Sequence, residues 1–124
     1  MWLAGTVVKV KRVYEGREDG DGRLVLVDRL WPRALRKHDA AVDVWLRDVA
    51  PSVELRRWYG HDPARFGEFT ERYRAELEDA SHAPALAQLR ELAAAGPVTL
   101  LTATRDLARS QATVLAEVLA DSEP

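Results

Sequence analysis

The sequence predicts one α/β domain over residues 1–124, with a small, mainly parallel sheet flanked by helices in a Rossmann-like or flavodoxin-like arrangement. Three observations favour this class. The short, continuous apolar run of residues 24–27 and the largely apolar run of residues 98–103 are typical of strands that are buried on both faces. Helical patterns surround these runs in the second half of the chain. A length of 124 residues suits a single domain with one hydrophobic core.

The first predicted element is a strand over residues 6–13, in which valines alternate with basic residues. Val8 and Val10 share one face of it, and Lys9 and Lys11 share the other. The stretch 15–22 follows, with three glycines among acidic residues, and is expected to be a surface loop. Glycines surrounded by acids have the wrong charge for a phosphate-binding loop.

The run 24–27 is the second predicted strand. About nine residues separate it from the first strand, fewer than a parallel crossover normally needs. The two strands are therefore either antiparallel or not neighbours in the sheet. Residues 42–46 alternate like a strand but also fit a helix. We favour a strand, because the valines of this segment are β-branched and a proline follows closely.

The second half of the chain predicts four helices and a strand. Ser52 can cap a short helix over residues 53–59. Asp62 and Pro63 start the next one, with a carboxylate cap followed by proline at the first helical position. The apolar stripe of that helix consists of Phe66, Phe69, Tyr73 and Leu77.

A further helix is predicted over residues 83–95 and ends at Gly96 and Pro97. The buried run 98–103 then forms a strand. A last helix covers about 106–119, with leucines and valines on its apolar side. These elements account for the helices expected around the two buried strands.

Composition excludes several functional classes. The chain has no cysteine, and hence no disulfide, zinc–thiolate site or cysteine nucleophile. Its three histidines have no paired spacing, so we expect neither a metal nor a cofactor, and His38 and His82 lie in polar, surface-like contexts. Without a long apolar run or a secretory signal, we expect a cytoplasmic protein with no membrane partner. The formal net charge of −2 argues against a DNA-coating protein.

Ligands of open α/β sheets bind beyond the carboxyl ends of the strands. Here those ends are the segments 28–33 and 102–106. If the two buried strands are parallel and adjacent, their charged residues converge, and the N-terminus of the last helix favours an anion in the same corner. The ligand-binding candidates in this corner are Arg29, Trp31, Arg33, Thr104 and Arg105, and its carboxylates are Asp28 and Asp106.

Two interpretations of this corner remain open. In the functional one, the three arginines grip a phosphate or carboxylate through forked hydrogen bonds. In the structural one, Asp28 and Arg29 pair with each other, or with Arg105 and Asp106, as a polar latch across the strand ends.

Three functions are compatible with these residues. A binding module for an anionic small molecule, such as a nucleotide or phosphorylated metabolite, is favoured, because no nucleophile, metal set or cofactor motif can be named. The second is an enzyme on that ligand class, with Asp28 or Asp106 as the acid–base group. His61 is a weaker catalytic candidate, since a histidine at this position more often hydrogen-bonds near a helix start. The third, less favoured, is a nucleic-acid or protein interaction module that uses the basic stretch 29–37.

Four segments resemble the YeaO-like family, short prokaryotic proteins grouped as domain of unknown function 488. They read LVDRLWPRALRK, VWLRDVAPSVELRRWYGHDP, ERYRAEL and GPVTLLTATRD, and together they extend over nearly the whole chain. The resemblance implies a compact cytosolic α/β domain with no established biochemical activity.

The chain departs from the pattern of that family at several positions. The family usually has glycine at Ala34. After the last strand it usually has lysine–aspartate and then histidine–asparagine, where this chain has Arg105 and Asp106 and then Arg109 and Ser110.

Longer relatives of this family carry cysteines and a histidine around the loop after the last strand. The aligned residues here are Thr102, Ser110 and Gln111. If those relatives use these groups in catalysis, the resemblance implies that this chain lacks the reactive side chains, which lowers the expectation of an enzyme.

Overall fold

The computed structural model describes residues 8–121, and within this part of the chain its sheet has four strands, all of them parallel. The strands are β1 (Val8–Arg12), β2 (Arg23–Leu26), β3 (Val44–Trp45) and β4 (Val98–Thr102). Their order is β1-β4-β2-β3. The first two strands are therefore parallel but not neighbours, which confirms one of the two predicted alternatives. Residues 6 and 7 of the predicted first strand lie outside the described residues.

The helices follow the predicted pattern closely, and the α/β class is confirmed. The α-helices of the described chain are α1 (Val53–Tyr59), α2 (Phe66–Glu76), α3 (Ala83–Ala95) and α4 (Gln111–Asp121). The last helix begins later than predicted, because a 3₁₀ turn occupies Leu107–Arg109. The ambiguous segment 42–46 forms a strand rather than a helix, although β3 is only two residues long.

Both predicted helix caps are confirmed. The hydroxyl of Ser52 accepts a hydrogen bond from the backbone N–H of Leu55 at 3.1 Å, which satisfies one free donor of the first turn of α1. The carboxylate of Asp62 accepts one from the N–H of Ala64 at 3.0 Å. Pro63 then starts a 3₁₀ turn that leads into α2.

The two faces of the sheet are covered in different ways. Val25 and Leu100 pack into a core to which all four helices contribute. Leu24, Leu26 and Leu101 belong to a separate cluster on the opposite face, since neighbouring residues of a strand point to opposite sides. The connection between β2 and β3 covers that second cluster with side chains rather than with a helix. The covering side chains are Trp31, Leu35, Ala41 and Val42.

The acidic stretch 15–22 is only partly the surface loop that we predicted. Asp21 is 1% exposed, and its carboxylate accepts hydrogen bonds from Lys11 Nζ at 2.9 Å and Lys9 Nζ at 3.2 Å. The Lys11 ammonium also donates to Glu18 and to the carbonyl of Gly16. The lysine face of β1 therefore binds this stretch, because a buried carboxylate requires cationic partners.

Ala34 has a φ of 63°, in the left-handed region where a side chain is strained and glycine is not. It lies in the connection between β2 and β3. This backbone conformation gives a physical reason for the glycine that the YeaO-like family usually has at this position.

Candidate functional site

A cleft of about 340 Å³ opens at the carboxyl edge of the sheet. Its walls come from the segment that follows β2, the backbone at Ala50 and Pro51, α1, and the start of α4. Among the described residues that line it, Asp28 is the one carboxylate. The cationic side chains of the lining are Arg29, Arg33, Arg56 and Arg109. The cleft therefore combines one acid with four guanidinium groups.

Asp28 is held by three neutral donors. Its Oδ1 accepts from the hydroxyl of Thr102 at 2.7 Å and from the amide of Gln111 at 2.6 Å. Its Oδ2 accepts from the backbone N–H of Ala103 at 2.8 Å. Burial raises the pKa of the Asp28 carboxyl, and these hydrogen bonds and the charge of Arg56 offset that effect only in part.

Two of the three residues that the resemblance aligns with cysteines and a histidine of longer relatives thus hydrogen-bond to Asp28 in this chain. Thr102 and Gln111 both donate to its Oδ1. The third position, Ser110, is buried and donates its hydroxyl to the carbonyl of Leu107 at 2.8 Å. These side chains act as hydrogen-bond donors within the fold.

Arg29 points to backbone carbonyls rather than to an acid. One of its terminal N–H groups donates to Ala50 O at 3.0 Å, and its Nε–H donates to Pro51 O at 3.3 Å. Asp28 forms no ion pair with Arg29 or Arg105 within residues 8–121. The arginine is therefore anchored to the backbone, with further N–H groups left for a ligand.

The other arginines of the cleft differ in their partners. Arg33 and Arg56 are exposed, and neither guanidinium has a protein acceptor among the described residues. Arg109 donates to the carboxylate of Asp106 at 2.9 Å. Asp106 and Arg105 are both exposed and are not among the residues that line the cleft.

The cleft brings together most of the predicted site residues and leaves the Arg105–Asp106 pair outside its wall. The predicted residues that line it are Asp28, Arg29, Trp31, Arg33, His61 and Thr104. Sequence reasoning missed Arg56 and Arg109. Arg56 lies on a helix whose exposed face carries two consecutive arginines, and no local signal says which of the two faces the cleft.

Trp31 combines packing with a place in the cleft wall. Its ring meets that of Trp45 edge-on at 5.3 Å, and its indole N–H donates to Leu35 O at 2.6 Å. Lys37 Nζ lies 5.6 Å from the Trp31 ring, within cation–π distance. Because Arg29 turns inward, the basic stretch 29–37 does not present all of its charges on one surface.

The histidines are placed differently from each other. His61 is exposed, has a φ of 56°, and its ring lies 6.1 Å from that of Tyr59 at the cleft wall. His82 was expected in a surface-like context, and this expectation is wrong, since it is 5% exposed. Asp79, one of the polar neighbours that suggested exposure, is a hydrogen-bond partner of the buried ring.

Residues 8–121 contain no group of three or more histidine, aspartate or glutamate side chains placed to hold a metal ion. No helix in the same range is long and apolar enough to cross a membrane.

Comparison with known proteins identifies relatives along the whole domain. The family model described as "Inactive DUF488-N3 subclade" matches residues 7–123. The uncharacterised protein Rv3073c of Mycobacterium tuberculosis is 54% identical over 114 residues, which are 92% of this chain and 94% of that protein. The uncharacterised protein YeaO of Escherichia coli is 39% identical over 112 residues, 90% of this chain and 96% of the relative. No solved structure matches significantly. The chain therefore belongs to the DUF488 family, within the N3 subclade that is described as inactive.

Proposed function

We propose that this protein binds an anionic small molecule, such as a nucleotide or a phosphorylated metabolite, in the arginine-lined cleft. The observation that carries the proposal is the charge of the lining, with four guanidinium groups against a single carboxylate. That carboxylate already accepts three hydrogen bonds from neutral donors. An incoming anion thus meets an excess of positive charge.

Arg33 and Arg56 supply the binding charge in this proposal. Both are exposed, and their guanidinium groups lack a protein acceptor within the described residues. Planar guanidinium groups bind phosphate and carboxylate oxygens through two parallel hydrogen bonds. Arg29 is the preorganised member of the set, because the carbonyls of Ala50 and Pro51 hold it in place.

The position of the cleft supports the same function. In open parallel sheets the loops beyond the carboxyl ends of the strands form the ligand site. Here the segments that follow β2 and β4 supply Asp28 and Thr104 to adjacent parts of the wall. A volume of about 340 Å³ is at the lower end of the range for small-molecule sites.

A thermal-shift screen tests the proposal, with each nucleoside or sugar compared with its own phosphate. A ligand at 100 times its Kd stabilises the folded state by about 2.7 kcal/mol, which corresponds to several degrees of Tm at this chain length. We expect phosphorylated members alone to raise the Tm, and Arg33→Gln/Arg56→Gln to abolish the shift.

The matched control is Arg36→Gln/Arg57→Gln. It removes the same number of charges from the same two segments, but neither residue lines the cleft. Equal loss of binding in both double variants would mean that net charge, and not the cleft, attracts the anion. If no anion in the screen raises the Tm, the proposed function is wrong.

An enzyme on the same ligand class is the second candidate, and one observation favours it. Asp28 lines the cleft and burial raises its pKa, a combination common in acid–base groups. We rank it lower because both carboxylate oxygens are already hydrogen-bonded and because the subclade is described as inactive. Turnover of a ligand found in the screen, lost in Asp28→Asn, would reverse this ranking.

A nucleic-acid interaction through the stretch 29–37 ranks third. Arg33, Arg36 and Lys37 are exposed there, but Arg29 is engaged by backbone carbonyls. Short oligonucleotides belong in the same screen. A shift that requires Arg36 would favour a surface that reaches beyond the cleft.

A further inference from the structure

The backbone at Val49–Ser52 lies within hydrogen-bonding distance of side chains from α2 and from the turn that follows it. Tyr73 donates its hydroxyl to Val49 O, and Glu76 accepts from the backbone N–H of Ser52 at 2.9 Å. Between these contacts, the carbonyl oxygen of Ala50 faces two side chains at hydrogen-bonding distance. Arg29 donates to it at 3.0 Å, and His82 Nε2 lies 2.9 Å from it. The cleft arginine and the buried histidine thus share one oxygen.

The ring of His82 faces an oxygen acceptor at each nitrogen. Its Nδ1 lies 2.8 Å from a carboxylate oxygen of Asp79, and its Nε2 faces Ala50 O. A neutral imidazole has one N–H and one lone pair, so it can donate only one of these bonds. The doubly protonated ring donates both. The number of hydrogen bonds at Ala50 therefore depends on the charge of His82.

Several charged groups act on this ring. Asp79 contacts Nδ1, and a carboxylate oxygen of Glu76 lies 3.9 Å from Nε2. Arg29 donates to the same carbonyl oxygen, and His82 itself occupies the N-cap position of α3. The 3₁₀ turn Arg47–Val49, which packs against α3, carries its own charges in exposed positions.

We propose that His82 is a positioning residue of the cleft, which holds Arg29 in its binding geometry through the carbonyl of Ala50 when the ring carries two protons. The part of this inference that concerns anion affinity rests on the proposed function. When pH rises and the ring loses one proton, Nδ1–H stays with the stronger acceptor, Asp79. The lone pair of Nε2 then faces the lone pairs of Ala50 O, and their repulsion displaces the backbone to which Arg29 is anchored.

NMR of the full chain tests this role without any ligand. The Nε–H signal of Arg29 and the ring protons of His82 are followed between about pH 5.5 and 8.5, the range in which histidine changes charge in most proteins. We expect the Arg29 signal to move with the same midpoint as the His82 ring. An Arg29 signal that does not follow the ring, or a ring that keeps one protonation state throughout, would overturn the proposal.

Two variants separate positioning from simple structural support. His82→Gln can donate to Ala50 O but does not titrate, so the pH response of Arg29 should vanish. Asp79→Asn, at an exposed position, removes the carboxylate that contacts Nδ1, so the midpoints of the ring and of Arg29 should change by the same amount. This second variant also serves if the first does not fold. An unchanged Arg29 response in a folded His82→Gln variant would contradict the role of His82.

Sulfate is the probe for affinity, because its charge is constant over this range. We expect its dissociation constant in the native protein to rise by about fivefold with pH, the equivalent of one ordinary hydrogen bond. The rise should persist in His61→Gln, which changes a titratable residue of the cleft wall, and disappear in His82→Gln. If sulfate does not bind while Arg29 still follows His82, the positioning role stands and the proposed anion site fails. If sulfate binds but the Arg29 signal does not respond to pH, the proposed anion site stands and the positioning role of His82 fails.

Discussion

The two ends of strand β2 carry aspartates with opposite electrostatics, of which Asp21 is buried and Asp28 is half-buried. Asp21, just before the strand, accepts from two lysines, and the hydrogen bond from Lys11 lowers its pKa to about 2. Asp28, just after the strand, accepts only from neutral groups, and burial raises its pKa. Cationic partners compensate for the loss of water around the first carboxylate, whereas neutral donors compensate less for the second. Asp21 therefore binds the loop before β2 to the lysines of β1, whereas Asp28 lines the cleft without a cationic hydrogen-bond partner.

Removing the principal cation from the first site should have the largest effect on stability. In Lys11→Met, the Asp21 carboxylate remains buried with only the more exposed Lys9 as an ionic partner. An uncompensated buried charge is among the most destabilising changes in a protein. We expect a larger fall in urea midpoint than in any other variant considered below. Lys9→Met is the control, with 42% of its side chain exposed, and an equal fall there would contradict a special role for Lys11.

The pH dependence of stability should have opposite signs at the two sites. Because the pKa of Asp21 is lowered to about 2 by its hydrogen bond from Lys11, its contribution is complete above the unfolded value of about 3.8 and is lost as pH falls towards 2. Because burial raises the pKa of Asp28 in the folded state, its ionisation reduces stability as pH rises from about 3.8 through that raised value.

Chemical unfolding measured at successive pH values checks both signs. Lys11→Met should flatten the acid limb, which is the fall in stability at low pH, because the largest cause of the lowered pKa of Asp21 is gone. Asp28→Ala should remove the opposing slope and leave the acid limb in place. An acid limb that survives unchanged in Lys11→Met would show that another carboxylate is responsible.

Loss of the second carboxylate should cost less than loss of the lysine. Asp28→Ala leaves the N–H of Ala103 without its acceptor and removes the shorter of the two hydrogen bonds donated by the Gln111 amide, at a cost of about 1–3 kcal/mol. The accompanying loss of an incompletely compensated charge reduces the net effect. Asp106→Ala, which breaks only an exposed ion pair with Arg109, should change the free energy of unfolding by less than about 0.5 kcal/mol. A larger loss in the control would contradict this comparison.

The smallest expected effect is a gain. Ala34 lies in the connection that leaves the Asp28 end of β2, and its φ of 63° strains a side chain. Ala34→Gly should stabilise the fold by about 0.5–1 kcal/mol, because relief of this strain exceeds the added entropy of the unfolded chain. Differential scanning calorimetry measures the gain. A loss of Tm would mean that the methyl group of Ala34 contributes packing that outweighs its strain.

Much of the fold could be predicted because local rules decide it. Local signals predicted the helix ends that the structure shows. They are the N-caps at Ser52 and Asp62 and the C-terminal end at Gly96. The short connection between the first two strands already excluded a parallel neighbouring pair, and the structure inserts β4 between them. Each of these signals involves residues that are close in sequence, so its structural effect can be predicted without the tertiary structure.

The candidate site could be predicted only in part. Its place at the strand ends followed from the two apolar runs, and Asp28, Arg29 and Arg33 do line the cleft. The contribution of Arg56, and the exclusion of Arg105, depend on how α1 and the segment after β4 turn in space. Side-chain direction in such segments is set by packing between distant elements, which leaves no periodic trace in the sequence.

By itself, the sequence determined the α/β class, the bounds of most helices, the absence of cysteine chemistry and the end of the sheet where polar residues gather. Only the tertiary structure decided the state of the individual polar groups. The aspartates at the two ends of β2 have the same chemistry, and His82 resembles a surface residue in sequence. Their charge and role follow from burial and from donors far away in the chain. Solvation and hydrogen bonding are properties of the folded surroundings. The same residue type therefore forms ion pairs at Asp21 and lines the cleft with neutral partners at Asp28.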